Sequence, residues 1–88
     1  MTSAEKENII ALLEKAVHLN SEAQNAYDFQ SYGNATAMRN ESSAILLPLF
    51  REHRVLCETF AHQWVFLSRG DEDNGFFDAD LERAKSLF

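Results

Sequence analysis

The sequence predicts an all-α fold, a helical hairpin followed by a short C-terminal helix. Two observations lead to this prediction. Apolar residues recur at helical spacing along two long segments. The chain of 88 residues also contains only three glycines and one proline, and 45% of its residues are hydrophobic, a composition typical of an ordered protein. At this length we expect a single domain, residues 1–88.

The first helix is expected over residues 3–31. Thr2-Ser3-Ala4-Glu5 matches a capping box, which is typical of the start of a helix. After it, apolar residues advance by three or four positions and predict one apolar face that reaches Tyr27. The central stripe of that face has the spacing of a coiled-coil seam and consists of Ile9, Leu12, Ala16, Leu19, Ala23 and Ala26. The turn-like residues 31–34 predict the end of this arm of the hairpin.

The second helix is expected over residues 35–69, with a kink at Pro48. Proline inside a helix removes a backbone hydrogen bond and clashes with the preceding turn, at a cost of about 3 kcal/mol. The alternative is that Ser42 or Ser43 caps a new helix that carries Pro48 near its first turn. Gly70 is then a stop signal.

An acidic loop is predicted over residues 70–77, followed by a last helix over residues 78–88 that Asp78 caps. Residues 71–82 contain six of the fourteen acidic residues and no basic residue, and the whole chain has a formal charge of −6. The basic residues are not clustered in the sequence, and the absence of such a cluster disfavours nucleic-acid binding. Three of the acids, Asp71, Asp73 and Glu82, match the first, third and twelfth positions of a calcium-binding loop. Gly75 and Phe76 occupy the fifth and sixth positions, where an oxygen ligand and a glycine are needed, so we expect a solvated loop.

Two histidines, a cysteine and two glutamates fall in the stretch FREHRVLCETFAHQW, residues 50–64. His53 and Cys57 share the apolar face of the predicted helix, whereas Glu58 and His62 lie about 100–140° around it. One helix cannot direct all four side chains at one ion, and a buried thiol is a poor nucleophile. We therefore expect no metal, no cofactor and no catalytic residue. The interpretation is a core histidine beside a buried thiol, with Glu58 and His62 as a solvated or intersubunit pair.

Apolar residues outside the main stripe predict self-association. Leu47, Val55, Val65 and Phe66 point away from it, so the second helix is apolar on more than one side. Two other helices give such a helix too little cover within one chain. We expect a homo-oligomeric helical bundle, or else a groove that binds another protein.

The function favoured by these features is that of a small acidic protein–protein interaction module, an adaptor, chaperone or inhibitor, and not an enzyme. An inhibitor encoded by a mobile element fits the small size and the charge. We expect it in the cytoplasm, because Cys57 is the only cysteine and no signal-peptide or membrane-spanning pattern is present. The candidate partner-binding residues are Phe60, Trp64, Phe66, Asp71, Asp73, Phe76 and Phe77.

The alternative is an oligomeric bundle that binds a small ligand or a metal in a pocket between subunits. Arginine side chains there would meet phosphate or carboxylate groups. The residues that would line this pocket are Tyr27, Tyr32, Arg39, Arg51 and Arg54.

Overall fold

Five α-helices and no β-strand make up the computed structural model, which describes all 88 residues. The helices are α1 (Ser3–Asp28), α2 (Tyr32–Glu52), α3 (Arg54–Thr59), α4 (Ala61–Arg69) and α5 (Asp78–Lys85). The all-α prediction is confirmed. None of the five combines the length and apolar character that crossing a membrane requires. The radius of gyration is 12.8 Å, close to the value of about 12 Å expected for a folded domain of this length.

Helix α1 begins and ends with defined caps. The side chain of Thr2 accepts the backbone N–H of Glu5 at 3.1 Å, which confirms the predicted N-cap. At the other end, Ser31 donates its N–H to the carbonyl of Ala26 at 2.7 Å, and Gln30 donates to Tyr27 at 2.9 Å. This pair of bonds is a Schellman motif, and it places Gln30 at a positive φ of 61°. The turn therefore comes three residues earlier than predicted, and α2 begins at Tyr32.

The hairpin of α1 and α2 buries a stripe that is displaced from the predicted seam. Leu12 and Leu19 lie half-buried at its edges, and Tyr27 is exposed. A polar residue, Asn20, lies within the stripe and is 3% exposed. The buried residues of α1 are Ile9, Leu13, Ala16, Val17, Asn20 and Ala23.

The second predicted helix is divided into α2, α3 and α4. The divisions are at His53 (φ −119°, ψ 95°) and Phe60 (φ −112°, ψ 48°), not at Pro48. Pro48 lies inside α2 with an exposed side chain. The two divisions fold α4 back onto α2, so the segment covers part of its own apolar surface.

An aromatic cluster at the centre of the core holds this arrangement together. The ring of Phe50 lies 6.3 Å from Phe60, 6.3 Å from Trp64 and 6.2 Å from Phe76, measured between centroids. Phe60 and Phe76 are in edge contact at 5.2 Å. Such aromatic pairs add about 0.5–1.5 kcal/mol each beyond the area that they bury. The cluster joins α2, the junction of α3 with α4, and the loop before α5.

Helix α5 packs against α1 and closes the core. Leu81 and Ala84 are buried, and Phe88 packs against the core cluster after the helix has ended at Lys85. Asp78 is the first helical residue and not the cap. The carboxylate of Asp80 instead accepts the backbone N–H of Phe77 at 3.2 Å.

The folded chain exposes 5290 Å². A compact monomer of 10.0 kDa is expected to expose about 5200 Å². Leu47 packs against the core, and Phe66 is half-buried, whereas Val55 and Val65 remain 38% and 46% exposed. The surplus of apolar surface from which self-association was predicted is therefore smaller than the sequence suggested. The homo-oligomer itself stays a prediction.

Candidate functional site

The acidic loop, residues 70–77, is anchored by a fully buried asparagine. The carboxamide oxygen of Asn74 accepts hydrogen bonds from the side chain of Asn20 at 2.9 Å and from the backbone N–H of Phe76 at 3.0 Å. Its nitrogen donates to the hydroxyl of Ser43 at 3.0 Å and towards that of Ser42 at 3.3 Å. One side chain therefore connects the loop to α1 and to α2.

The network around Asn74 leaves no polar group without a partner. Asn20 also donates to the carbonyl of Phe76 at 2.7 Å, and Ser42 donates to the carbonyl of Ala16 at 3.0 Å. No buried side-chain nitrogen or oxygen of the protein is unsatisfied. A complete buried network of this kind rigidifies the structure around it. Sequence reasoning missed it, although the signal was present, since Asn20 and Ser42 stand at positions of the apolar stripes.

Two glycines shape the ends of the loop. Gly70 adopts a left-handed conformation (φ 77°) and donates to Leu67 at 3.2 Å, while the N–H of Asp71 bonds to Phe66 at 3.0 Å. This is a second Schellman motif, and it confirms Gly70 as the stop of α4. Gly75 is also left-handed (φ 66°), and its N–H donates to the carboxylate of Asp73 at 3.0 Å.

An open groove of about 680 Å³ lies between this loop and the first half of α2. Its single large apolar side chain is the half-buried ring of Phe66. Asp71 pairs with Arg69 at 2.8 Å, and the guanidinium of Arg69 lies 5.6 Å from the centroid of the Phe66 ring. We call this surface the acidic groove. The residues that line it are Thr36, Asn40, Phe66, Gly70, Asp71, Glu72, Asp73 and Gly75.

The acidic groove brings together three of the seven residues predicted to bind a partner, namely Phe66, Asp71 and Asp73. Phe60 and Phe76 are 2% and 0% exposed, so neither ring is available to a partner in the folded chain.

The two remaining candidates lie outside the lining of the groove. Trp64 is half-buried and stacks on Phe50 with an interplanar angle of 18°, so part of its ring is already in contact with the core. Phe77 is 38% exposed at the start of α5. Neither residue contributes to the groove.

The arginines of the alternative ligand pocket do not converge within one chain. Arg39 lies over the ring of Tyr27 at 5.6 Å, and Tyr27 contacts Tyr32 at 5.0 Å, all near the turn of the hairpin. Arg51 is twelve residues further along α2, which corresponds to about 18 Å. Arg54 pairs with Glu58 at 2.8 Å. Any common pocket would have to form between subunits.

The histidines and the cysteine are also separated. His53 is half-buried at the division between α2 and α3, outside the core, with its ring 6.0 Å from Phe88. The thiol of Cys57 donates to the carbonyl of Phe50 at 2.8 Å. Burial raises the pKa of this thiol, and the nearby carboxylate of Glu58 raises it further. The predominant form at neutral pH is therefore the protonated thiol, which is a weak nucleophile.

Glu58 and His62 are both exposed and lie on different helices, because the chain divides at Phe60, and a contact between them across subunits stays a prediction. His62 packs edge-on against Phe66 at 4.9 Å. Glu82, the last acid of the calcium-loop pattern, pairs with Lys85 at 3.2 Å. No group of three or more His, Cys, Asp or Glu side chains is arranged to hold a metal ion.

A smaller cleft of about 260 Å³ lies at the opposite end of the hairpin, between the start of α1 and the end of α2. Two glutamates and one histidine line it, together with apolar side chains. They are Glu5, Asn8, Ile9, Leu12, Leu49, Glu52 and His53.

The acidic groove is the larger of the two concave surfaces, and three carboxylates and one aromatic ring line it. Its carboxylates accept hydrogen bonds from cationic groups, and its aromatic ring attracts a cation above its face. Comparison with protein-family models, with curated proteins and with solved structures found no match to the chain.

Proposed function

We propose that the chain is a cytoplasmic protein–protein interaction module that binds a basic segment of a partner protein in the acidic groove. Adaptor, chaperone and inhibitor activities all use such a surface, and an inhibitor encoded by a mobile element is one form of it. The observation that carries the proposal is the row Asp71-Glu72-Asp73 beside the Phe66 ring, held on a loop that buried hydrogen bonds fix in place.

The charge of the groove favours a basic partner. Arg69 is the basic side chain paired with these acids, and it is occupied by Asp71. Glu72 and Asp73 make no ion pair within the chain and are exposed. With a net charge of −6, the protein would also attract a basic segment from a distance, which raises the association rate more than the affinity.

The chain's own Arg69 illustrates the chemistry that a partner would use. Its guanidinium bonds a carboxylate at 2.8 Å and lies over an aromatic face at the same time. A partner's arginine or lysine would make the same two interactions with Asp73 or Glu72 and with the free part of the Phe66 ring. Cation–π contacts are worth about 0.5–1 kcal/mol at exposed sites, so several such contacts are needed for a stable complex.

The anchored loop lowers the cost of binding. A flexible acidic loop would lose conformational freedom when a partner orders it, and this loss reduces affinity. The bonds of Asn74 to Asn20 and Ser43 hold this loop against the hairpin before any partner is present. The groove is therefore preorganised.

A pair of peptides tests the proposal directly. The first is a short extended peptide of alternating arginine, leucine and serine, and the second has glutamate in place of arginine. Each is titrated into the isotope-labelled protein while amide NMR signals are recorded. Gly70 and Gly75 line the groove, and their signals are readily assigned because the chain has only three glycines. The basic peptide is expected to shift both signals, and the acidic peptide is expected to shift neither.

The matched variants separate a specific groove from general charge attraction. The double variant Glu72→Lys/Asp73→Lys should lose the shifts. The control Glu7→Lys/Glu22→Lys changes the net charge equally on exposed positions of α1 and should keep them. Equal loss in both variants, or shifts confined to signals outside the groove, would contradict the proposal.

A further inference from the structure

The sequence Asn74–Gly75 is prone to deamidation, and the folded structure opposes this reaction. In an Asn–Gly pair, the glycine backbone nitrogen attacks the side-chain carbon Cγ of asparagine, since glycine has no side chain to hinder the approach. The new C–N bond closes a succinimide ring, the N–H proton passes through water to the leaving nitrogen Nδ2, and the Cγ–Nδ2 bond breaks to release ammonia. Addition of water then opens the ring to aspartate or isoaspartate.

We propose that Asn74–Gly75 is a modification site at which opening of the loop, residues 70–77, permits deamidation of Asn74, and that the product cannot re-form the anchored loop. The inference does not depend on the proposed function. It rests on three barriers in the folded chain and on the fit of the product.

The first barrier is the orientation of the Asn74 carboxamide. Attack by the nitrogen of Gly75 requires this group to rotate towards its own main chain. Four hydrogen bonds hold the carboxamide against the hairpin instead. Its oxygen accepts from Asn20 and from the backbone of Phe76, and its nitrogen donates to Ser42 and Ser43. All of these bonds must break before the ring can close.

The second and third barriers are the proton on the nucleophile and the absence of solvent. The N–H of Gly75 donates to the carboxylate of Asp73 at 3.0 Å, and loss of its proton would leave two negative charges in contact. Asn74 itself is 0% exposed, so water cannot reach its carboxamide to relay the proton to the leaving nitrogen. Opening of the loop removes the three barriers together.

The product does not fit the site. Deamidation replaces the donor nitrogen of Asn74 with a carboxylate oxygen that faces the hydroxyls of Ser42 and Ser43, of which only that of Ser43 is free to turn and donate to it. The proton of Ser42 is already engaged with Ala16 at 3.0 Å, so two acceptors would meet. No cation lies among the hydrogen-bond partners of Asn74, and an unpaired buried carboxylate is strongly unfavourable. The loop would therefore stay open and carry one more negative charge.

Peptide mass spectrometry during storage at physiological temperature and pH tests the protected site. The chain is kept folded in one sample and unfolded in urea in another, and the deamidated fraction at Asn74 is followed with time. We expect rapid conversion in urea and conversion at least about tenfold slower in the folded protein, because the rate scales with the fraction of open loop. Equal rates in the two samples, or no conversion in urea, would overturn the proposal.

Two serine variants test the anchoring. Ser43→Ala removes one partner of Asn74 and should accelerate conversion in the folded chain. Ser68→Ala removes a hydroxyl that bonds to Val65 on the exposed side of α4, and it should leave the rate unchanged. Equal acceleration in both variants would indicate general destabilisation and contradict the anchoring role.

The variant Asn74→Asp tests the fit of the product without waiting for the reaction. Hydrogen exchange at the Phe76 amide, which bonds to Asn74, is expected to be at least about tenfold faster in the variant. Amides in the middle of α1 should keep their protection. Unchanged exchange at Phe76 would show that the product fits the loop and would refute this part of the proposal.

Discussion

At the scale of single residues, the same backbone motif ends two helices with different side chains. Gly70 ends α4 and Gln30 ends α1, and both adopt positive φ, at 77° and 61°. The hydrogen bonds are equivalent, from Asp71 to Phe66 in one case and from Ser31 to Ala26 in the other. Glycine takes this conformation without a steric penalty, whereas another L-residue pays roughly 1–2 kcal/mol. Gln30 is therefore a strained position.

Replacing Gln30 with glycine should stabilise the protein. Relief of the strain outweighs the extra freedom that glycine brings to the unfolded chain, and we expect a net gain of about 0.5–1 kcal/mol. Urea unfolding monitored by circular dichroism measures it. The control Ala37→Gly, at an exposed position inside α2, should lose about 1 kcal/mol. A loss of stability in Gln30→Gly would show that the turn is not strained.

The polar residues of the candidate site show why the sequence predicted only part of it. Asp71, Asp73 and Phe66 were recognised because acidic runs and surplus aromatics are visible locally. Asn20, Ser42 and Asn74 were not, because short polar side chains are usually exposed. Their burial is coupled, since Asn74 bonds to both Asn20 of α1 and Ser42 of α2, and Ser42 also bonds to Ala16 of α1. Joint burial of residues that are far apart in the chain leaves no pattern in the sequence around any one of them.

At the scale of helices, apolar periodicity predicted which segments are helical more accurately than it predicted where each helix ends. The pattern predicted where α1 and α5 begin and placed their ends three residues too late, and it placed the start of α2 three residues too late. It did not predict the divisions at His53 and Phe60, because both residues continue the apolar spacing. Contacts of Phe60 with Phe50 and Phe76 hold the divided form. Tertiary packing thus overrides helix propensity here.

The expected break at Pro48 gives the test at this scale. Pro48 lies four residues before the end of α2 and cannot donate to the carbonyl of Ala44, which water can satisfy because both side chains are exposed. Pro48→Ala restores the donor and should raise the free energy of unfolding by about 1–3 kcal/mol. Thermal unfolding measures the change.

The matched control for Pro48→Ala is Ala44→Pro, which places the proline one turn earlier in α2. It should destabilise by a similar or larger amount, because it removes a hydrogen bond that the helix now makes. A lower melting temperature for Pro48→Ala would indicate that the proline is needed for the path of α2. That result would favour the kink at Pro48 that the sequence predicts over an uninterrupted α2.

At the scale of the whole molecule, the folded chain has the surface area of an ordinary monomer. The exposed apolar side chains of α3 and α4 are Val55 and Val65. A stable interface buries about 800 Å² on each partner. Two valine side chains are too small to supply this area, so polar neighbours would have to contribute to the interface. Of the residues from which self-association was predicted, Val55 and Val65 are the two that stay exposed, and Phe29 and Tyr32 near the hairpin turn are exposed as well.

Native mass spectrometry of the wild type and of Val65→Glu tests whether the exposed surface around Val65 mediates self-association. If the predicted oligomer forms through it, the wild type has a mass above 10.0 kDa and the variant is reduced to a monomer, because a buried unpaired carboxylate opposes the interface. The control Val17→Ala lies in the core and should leave the assembly state unchanged. A wild-type mass of 10.0 kDa would contradict self-association.

The bonds of Asn74 also lead us to expect a particular order of folding. They join residues that are 54 and 32 positions apart in the chain, Asn20 and Ser42 respectively. Contacts across such separations restrict a long stretch of chain and form only after the nearer ones have reduced that entropic cost. The hairpin of α1 and α2 supplies both partners, so we expect it to form first and to act as the template. The C-terminal third of the molecule then folds onto a surface that already exists.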